Sequence, residues 1–369
     1  MRRGSGRPNK TPRQPNMIIL GIESSCDDTS VSLLDCSKQG CVVLSEKTAS
    51  QIEIHKKYGG VVPEIAGRMH AEKIIPLIEE VLKNQTRPEA IAVTAGPGLI
   101  TGLIVGVEAA RTLSLAWNIP LIAVNHLEGH IYSVELTPSQ KIVYPAIALV
   151  VSGGHTEIVK ISKPGDYELL GATKDDASGE CFDKVAKLLG LPYPGGPQIS
   201  RLAQTGKTEA IIFPRPMIKE NNFDFSFSGL KTAALYWLKD NQLAANKPID
   251  NKIPTGIWGQ KQNLPTQEDF CASFEQAVVD VLIHKTIKAV KEYSPQTLIL
   301  AGGVSANQKL RKSLEKIIQI EFPETKFFYP ELKYCMDNAA MIAVAGYYEA
   351  QKNNYTAWDK ISTDPNWHL

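Results

Sequence analysis

The sequence has no marked charge imbalance and no long apolar segment. Its 369 residues include 40 Lys and Arg against 39 Asp and Glu, a formal net charge of +1, which gives no support for a strongly basic nucleic-acid-binding protein. No apolar run approaches the ~20 residues that span a bilayer. The apolar stretch Met17–Ile22 is too short for the core of a secretion signal, and Glu23 ends it. We therefore expect no membrane association.

Paired cysteines and the common nucleotide-binding signatures are also missing. The six cysteines form no CxxC pair, so neither a zinc knuckle nor a disulfide scaffold is indicated, and a reducing, cytoplasmic location is expected. No GxxxxGK[ST] motif occurs, and no GxGxxG motif follows a predicted strand. These absences argue against a P-loop protein and against a dinucleotide-binding fold.

The first 16 residues differ from the rest of the chain. They carry five basic residues and no acid, so the remainder has a net charge near −4 (+1 minus 5). With three prolines and several Gly, Ser and Asn residues, this basic tail is predicted to be disordered. A flexible basic arm could add phosphate contacts, and a solvated extension without function is the alternative, with Met17 as the true start.

From Met17 onward the pattern predicts a duplicated α/β plan. Met17–Glu23 is predicted to be a strand, followed by a polar turn and strands at Ser30–Leu34 and Cys41–Glu46, with a helix from about Pro63 to Leu82. Ala90–Thr94 and Pro120–Val124 are buried strands, and a helix runs through Thr112–Trp117. The second half starts similarly, with strands at Ala146–Val151, His155–Ile161 and Thr297–Leu300, and a helix from about Ser305. Two halves that share a hairpin and a strand-Gly-helix unit indicate an internal repeat.

Duplicated halves of this kind can hold a ligand in the cleft between them. Three Gly/Ser-containing loops could line such a cleft, at 24–29, 152–155 and 301–307. Backbone N–H groups in tight glycine turns and at helix N-termini bind phosphate oxygens. Each loop alone is weak evidence, but three in corresponding positions favour a nucleotide cleft.

The segment His126-Leu127-Glu128-Gly129-His130 carries the strongest chemical signal. If a helix begins at His126, the two imidazoles lie one turn apart on one face and can bind one divalent metal. Two protein ligands leave coordination positions open, which is typical of a catalytic rather than a structural metal. The alternative is a chance pair, with one ring capping the helix and the other in solvent.

Long motifs in one order then resemble a known family. They are GIESSCDDT (21–29), YGGVVPEIAGRMH (58–70), HLEGH (126–130), VSGGHTEIV (151–159), DDASGECFDKVAKLLGLPYPGGP (175–197), FSFSGLKTA (225–233), AGGVSAN (301–307) and CMDNAAMIA (335–343). The chain resembles TsaD, the bacterial tRNA N6-adenosine threonylcarbamoyltransferase family formerly called glycoproteases. The resemblance covers roughly residues 17 to 350 and implies the duplicated, RNase H-like fold of actin, Hsp70 and sugar kinases, with a nucleotide and metal cleft between two lobes.

The resemblance also implies a domain plan. It consists of a basic tail (1–16), an N-terminal lobe (17–125), a C-terminal lobe with the adenylate and metal site (126–336), and a C-terminal tail (351–369). A helix over 337–350 is expected to pack back on the N-terminal lobe.

The implied reaction is acyl transfer to RNA. Threonylcarbamoyl-AMP donates its threonylcarbamoyl group to N6 of the adenosine adjacent to the anticodon in tRNAs that read ANN codons, and AMP leaves. A paralogous TsaB-type subunit and a TsaE-type ATPase are the implied partners. An amine attacking an activated carbonyl needs charge stabilisation and positioning more than a strong base.

Matching residue by residue, the resemblance assigns the metal to His126, His130 and Asp337, with Fe(II) favoured and Zn(II) possible. The alternative for Asp337 is an N-cap of a helix over Asn338–Tyr348. Substrate contacts are assigned to one loop and three further positions: Val151, Ser152, Gly153, Gly154, His155, Asp183, Gly196 and Asn307. Ser25, Asp27 and Asp28 belong to the first polar loop and receive no chemical step.

Two departures from the family pattern concern partners. The segment 98–103 is looser than the family's motif, Arg111 stands where Lys is common, and Gly67 and Met69 are unusual. The resemblance implies that these residues lie where family members meet the paralogous partner, so the affinity for that partner stays open. Residues 239–266 are predicted to be a long loop, of open function.

Two other functions were weighed. A metallopeptidase of the HExxH type would need Glu directly after His126, where Leu127 stands, and Glu128 should point away from the shared histidine face. A non-catalytic actin-like nucleotide-binding scaffold with a structural metal is the other alternative, and it would not transfer threonylcarbamoyl to tRNA.

Overall fold

Two five-stranded mixed sheets with one strand order organise the computed structural model, which describes residues 16–241 and 264–369. The strands are β1 (Met17–Glu23), β2 (Asp28–Ser37), β3 (Gly40–Ser50), β4 (Ala90–Gly96), β5 (Leu121–Asn125), β6 (Ala146–Val151), β7 (Thr156–Lys163), β8 (Asp166–Ala172), β9 (Thr297–Ala301) and β10 (Lys326–Phe328). The α-helices are α1 (Ile52–His55), α2 (Pro63–Leu82), α3 (Ile100–Trp117), α4 (His126–Tyr132), α5 (Ser178–Leu188), α6 (Gly195–Ala203), α7 (Ser228–Asp240), α8 (Gln267–Tyr293), α9 (Gln308–Glu321) and α10 (Ala339–Gln351).

The two sheets repeat one another strand for strand. The first has the order β3-β2-β1-β4-β5 and the second β10-β9-β6-β7-β8. In each, a three-stranded antiparallel meander (β1–β3, β6–β8) is extended by two parallel strands. The predicted duplicated α/β fold is confirmed.

The pattern of buried residues shows how the helices cover the two sheets. Strands β4, β6 and β9 are buried at every residue, as expected for strands covered on both faces. Helices α4 and α10 share one apolar core with the facing sides of both sheets. Helices α2 and α3 cover the outer face of the first sheet, and helices α5 to α9 cover the outer face of the second. Helix α10 is apolar on almost all sides because it lies between the sheets.

Several predicted boundaries differ from the structure. The helix expected from Ser305 begins at Gln308, after a short 3-10 helix over Gly303–Ala306. Lys239 and Asp240 belong to α7 rather than to the predicted loop 239–266, because α7 continues past its buried Leu238. The rest of that loop from 242 to 263, and the tail from 1 to 15, lie outside the described residues.

Two further features were not anticipated. Cys36 and Cys41 form a disulfide and face each other in the β2–β3 register, a pairing that becomes evident only once the hairpin is known. By length and composition, α3 is apolar enough to cross a membrane, with 39% of it buried. Core helices of water-soluble proteins meet the same criterion, and α3 packs against α2 and β4.

Candidate metal centre

The two histidines lie on a short helix at the end of the first half. Strand β5 ends at Asn125, whose side-chain oxygen accepts a hydrogen bond from the N–H of Leu127 and caps α4. His126 and His130 are then one turn apart, with ring centroids separated by 4.6 Å. Every residue of α4 is buried, so neither ring is the solvated histidine of the alternative interpretation.

Asp337 reaches the same place from the end of the second half. Its Oδ1 lies 3.5 Å from Nε2 of His126 and 3.2 Å from Nε2 of His130. The N-cap of α10 is Asn338, whose side chain accepts from the N–H of Met341. The alternative role of Asp337 as an N-cap is therefore wrong, and its carboxylate is left to face the histidines.

The segment before Asp337 is tied down by a buried arginine. The Arg311 guanidinium on α9 donates to the carbonyl of Pro330 and to Sγ of Cys335, each at 2.9 Å, and also to the carbonyl of Ser305. These bonds connect the loop after β10 with the 303–306 helix. The Arg311 hydrogen bonds thus hold the segment directly before Asp337 in place.

The electrostatics of the three side chains favour a cation. Burial favours the neutral ring of His126, but the carboxylates of Asp337 and Glu23 outweigh it and raise its pKa to about 9. Burial also disfavours ionised Asp337, yet the charge of His126 and the other rings nearby lowers its pKa to about 2. Burial lowers the pKa of His130. Two carboxylates face one imidazolium, so a divalent cation can replace its proton.

The donor set fits a divalent transition metal. One ligand atom from each of His126, His130 and Asp337 lies within 4.8 Å of the others. Nδ1 of His130 is buried without a hydrogen-bond partner among the described residues, and Nε2 faces the Asp337 carboxylate at 3.2 Å, so Nε2 is the nitrogen placed to bind a metal. Two imidazoles and one carboxylate with open positions suit iron or zinc.

The predicted adenylate loop lies at the carboxyl end of β6. Val151 ends the strand, the N–H of Ser152 donates to the carbonyl of His155, and the N–H of His155 donates to Oγ of Ser152. A side chain added at Gly153 or Gly154 would meet no atom within 4 Å. The loop therefore presents open backbone, which suits close approach of a ligand.

Gly302 packs against the end of β6 before this loop, and His155 links the loop electrostatically to the metal-site residues. Gly302 has a φ of +85°, and a Cβ there would lie 2.4 Å from the carbonyl oxygen of Val151, so glycine is required. Burial, followed by the charges of His126 and His130, lowers the pKa of His155 to about 4. His155 is thus neutral near pH 7 and electrostatically coupled to the three metal-site residues.

Asp183 and Gly196 meet at the start of α6. The carboxylate of Asp183 accepts the N–H of Gly195 at 2.6 Å. The N–H groups of Gly195 and Gly196 lower the pKa of Asp183, but burial raises it by more. Asp183 is therefore partly buried and holds the start of α6 in place through Gly195.

Asn307 makes structural contacts with its side chain. Its Oδ1 accepts from the N–H of Leu310 and caps α9, while its Nδ2 donates to Glu275 at 2.7 Å and Ser200 at 3.1 Å. These bonds hold the start of α9 against α8 and α6. A nucleotide contact by this amide would have to exchange with one of these bonds.

The sequence did not single out Glu23 for a role. This carboxylate is fully buried at the end of β1, and its Oε2 lies 3.0 Å from Nδ1 of His126. Ser25, in the 24–29 loop, places Oγ 3.1 Å from the same nitrogen. The sequence does contain a signal for this role, because Glu23 is an acidic residue at the end of an apolar strand. A carboxylate buried at such a position needs a hydrogen-bond or charge partner.

Comparison with known proteins places this geometry in a family. Residues 42–344 match the model of TsaD, tRNA N6-adenosine threonylcarbamoyltransferase. The chain is similar to proteins of that name from Listeria innocua (46% identity over 347 residues, 92% of this chain and 94% of that protein) and Bacillus subtilis strain 168 (46% over 353 residues, 94% of each). The structure of HypF from T. kodakarensis has a TM-score of 0.57 at 14% identity, covering 95% of this chain and 50% of HypF, a likeness of fold alone.

Proposed function

The chain belongs to the TsaD family of tRNA N6-adenosine threonylcarbamoyltransferases, and we propose that it forms t6A by acylating tRNA. In this reaction the exocyclic N6 of the adenosine adjacent to the anticodon attacks the carbamoyl carbon of threonylcarbamoyl-AMP. A C–N bond forms, the bond to the phosphate oxygen breaks, AMP leaves, and N6 loses one proton. The substrates are tRNAs that read ANN codons.

The observation that carries the proposal is the set His126, His130 and Asp337, which is electrostatically coupled to His155 of the open 152–155 loop. We propose that these three residues hold Fe(II), with Zn(II) as the alternative. When bound, the metal supplies a Lewis acid for the threonylcarbamoyl end of the donor. The protein holds the three side chains in place, with both histidines on α4 and Asp337 directly before α10.

The remaining substrate contacts follow from the same placement. Val151, Ser152, Gly153, Gly154 and His155 are proposed to wrap the adenylate, since a side chain added at Gly153 or Gly154 would meet no atom within 4 Å. We propose that the second carboxylate oxygen of Asp183 accepts ribose hydroxyls while Oδ1 keeps the start of α6 in place.

Gly196 and Asn307 complete the proposed nucleotide contacts. An added side chain at Gly196 would find only a distant contact with Phe182, so the base can approach the backbone closely. We propose that the side-chain amide of Asn307 contacts the nucleotide by giving up its hydrogen bond to Ser200 or Glu275.

Partners are proposed to bind the outer helices of the first half. Ile100, Ile104 and Leu115 lie on one face of α3 at 42%, 47% and 55% exposure, and Ile75 of α2 is 49% exposed. An apolar stripe of this kind marks an interaction surface, and we propose that the TsaB-type subunit covers it. The TsaE-type ATPase is proposed to act with this pair, in the cytoplasm and without a membrane.

The other two functions receive less support. Glu128 is buried and accepts a hydrogen bond from Tyr167 at 2.5 Å, which engages the carboxylate that a peptidase would need as its base. A nucleotide-binding scaffold with a structural metal would explain the loops and the three metal-site residues equally well, but the similarity to proteins named tRNA N6-adenosine threonylcarbamoyltransferase over more than nine-tenths of the chain favours the transferase.

Transfer of labelled threonine to unmodified ANN-reading tRNA tests the proposal. The purified chain receives the adenylate donor and the bacterial partner proteins, and its metal content is assayed on the same sample. Wild type should label the anticodon-loop adenosine, and His126→Ala should lose both metal and transfer. The matched control is His284→Ala, which removes an exposed imidazole from α8. Bound metal without any transfer by wild type would favour the scaffold, and full transfer by His126→Ala would refute the metal assignment.

A further inference from the structure

A buried carboxylate holds the first metal-site histidine from behind. Glu23 is fully buried, and its Oε2 lies 3.0 Å from Nδ1 of His126. The same oxygen accepts a 2.7 Å hydrogen bond from the hydroxyl of Thr94, and Oε1 accepts a 2.5 Å bond from the N–H of Ser25. The carboxylate is therefore fixed by β1, β4 and the loop after β1 before it meets the ring.

This contact decides which ring nitrogen of His126 faces the site. A carboxylate only accepts hydrogen bonds, so Nδ1 must carry the proton and donate it to Glu23. Nε2 then points toward Asp337, 3.5 Å away, and is the nitrogen from which a metal would displace a proton. An imidazole binds metal through an unprotonated nitrogen, so Glu23 presets both the tautomer and the ring orientation that a metal requires.

The second histidine has no such support. Nδ1 of His130 is buried without a hydrogen-bond partner among the described residues. The two imidazole ligands are therefore unequal, since only His126 has a charged acceptor on its far nitrogen. A carboxylate behind a ligand histidine also makes the ring a stronger donor to the metal.

We propose that Glu23 is a positioning residue for the metal, acting through His126. This inference rests on the metal assignment of the proposed function and extends it to a residue that does not touch the metal. The inference also gives Ser25, at the start of the polar loop, a role. The N–H of Ser25 donates to the Glu23 carboxylate, and the hydroxyl of Ser25 lies 3.1 Å from Nδ1 of His126.

Metal affinity tests the inference separately from transfer activity. Zn(II) is titrated into the metal-free protein in competition with a chromophoric chelator. Glu23→Gln keeps the shape of the side chain but removes the charge, and should weaken binding about 10- to 100-fold, the usual cost of losing an outer-shell partner. Ser25→Ala should weaken binding less than Glu23→Gln, because the carboxylate remains.

The matched control is Glu135→Gln. It also removes a largely buried carboxylate, one that accepts from Tyr348 and from the N–H of Ile142 and contacts neither histidine ring. Its zinc affinity should equal that of wild type. Equal affinity in Glu23→Gln and wild type would overturn the inference, as would a loss in Ser25→Ala as large as in Glu23→Gln. Absence of zinc binding by wild type would instead refute the metal assignment.

A measurement on wild type alone covers the case in which a variant fails to fold. In protein labelled with ¹⁵N-histidine and loaded with ¹¹³Cd(II), the metal should couple to Nε2 of His126 while Nδ1 carries a proton. Coupling to Nδ1 would show that Glu23 does not set the ring, and would overturn the inference without any substitution.

Discussion

Helix α10 lies so close to β1 that one added methyl group should disturb the metal site. A Cβ at Gly21 would lie 2.2 Å from the carbonyl oxygen of Ala339 and 3.0 Å from Cβ of Ala343. The shorter distance is about 1 Å below ordinary contact, and both neighbours belong to a helix that cannot bend locally. Gly21→Ala should therefore push the start of α10 outward by about 1 Å and destabilise the protein by about 1–3 kcal/mol.

The displacement matters because Asp337 lies directly before α10. Metal–ligand distances are held within about 0.2 Å, so a shift of about 1 Å would remove Asp337 from coordination with the histidines. Gly21→Ala should bind zinc much more weakly than wild type even where it is fully folded. Overpacking alone would lower stability without this loss.

Gly346→Ala provides the matched control. Its Cβ would lie 2.4 Å from Cβ of Ala92, so it overpacks the same helix against the same sheet. Gly346 is about 10 Å along the helix from Ala339. The preference of alanine for helix should offset up to about 1 kcal/mol of its cost. Its zinc affinity should stay close to that of wild type.

The assay combines urea unfolding with zinc competition at a denaturant-free condition where both variants are folded. A loss of zinc affinity confined to Gly21→Ala agrees with the reasoning. Equal losses in both variants would show that general loosening of α10 is responsible. Unchanged affinity in Gly21→Ala would refute the idea that the position of this helix sets the third ligand.

Two further outcomes are expected. Asp175→Ala should cost about 1 kcal/mol in urea unfolding, because the carboxylate accepts bonds from two serine hydroxyls and two N–H groups at the start of α7. Burial acts to raise the pKa of Asp175, but the four hydrogen bonds together outweigh it and lower this pKa. The stability difference from wild type should therefore be full above the ordinary pKa of 3.8 and vanish as the pH falls through the lowered value. Leu115→Glu should weaken binding of the TsaB-type subunit at least about tenfold in calorimetry. Ile212→Glu, at a 93% exposed site outside α2 and α3, should leave this binding unchanged. Equal effects of the two substitutions would contradict the proposed surface.

The sequence predicted those features that depend on local periodicity. Helix α2 spans the expected Pro63–Leu82 because its apolar residues recur with helical spacing. The His126–His130 pair follows the same logic, since neighbours one turn apart are fixed as soon as the helix forms. The internal repeat could be predicted because each half starts with a similar hairpin, whereas the strand order of the two sheets became evident only in the structure.

Contacts between distant segments were not accessible in this way. Asp337 was assigned only through the family resemblance, because nothing local separates a ligand from a helix cap before α10. The bond from His126 to Glu23 depends on how β1, β4 and α4 pack together, and the Cys36–Cys41 pair depends on hairpin register. The side-chain bonds of Asn307 likewise need α8, which the sequence analysis did not identify.

The origin of the ligands along the chain explains why the metal site and the fold are coupled. The histidines end the first half and Asp337 ends the second, while Glu23 begins the first. Helix α10 belongs to the second half in sequence but packs on β1 and β4 of the first. The four side chains can meet only when both sheets enclose α4 and α10, so metal binding should stabilise the packing of the two halves as well as the local loop. A cation bound here would therefore favour the arrangement that also places His155 of the 152–155 loop near the metal-site residues.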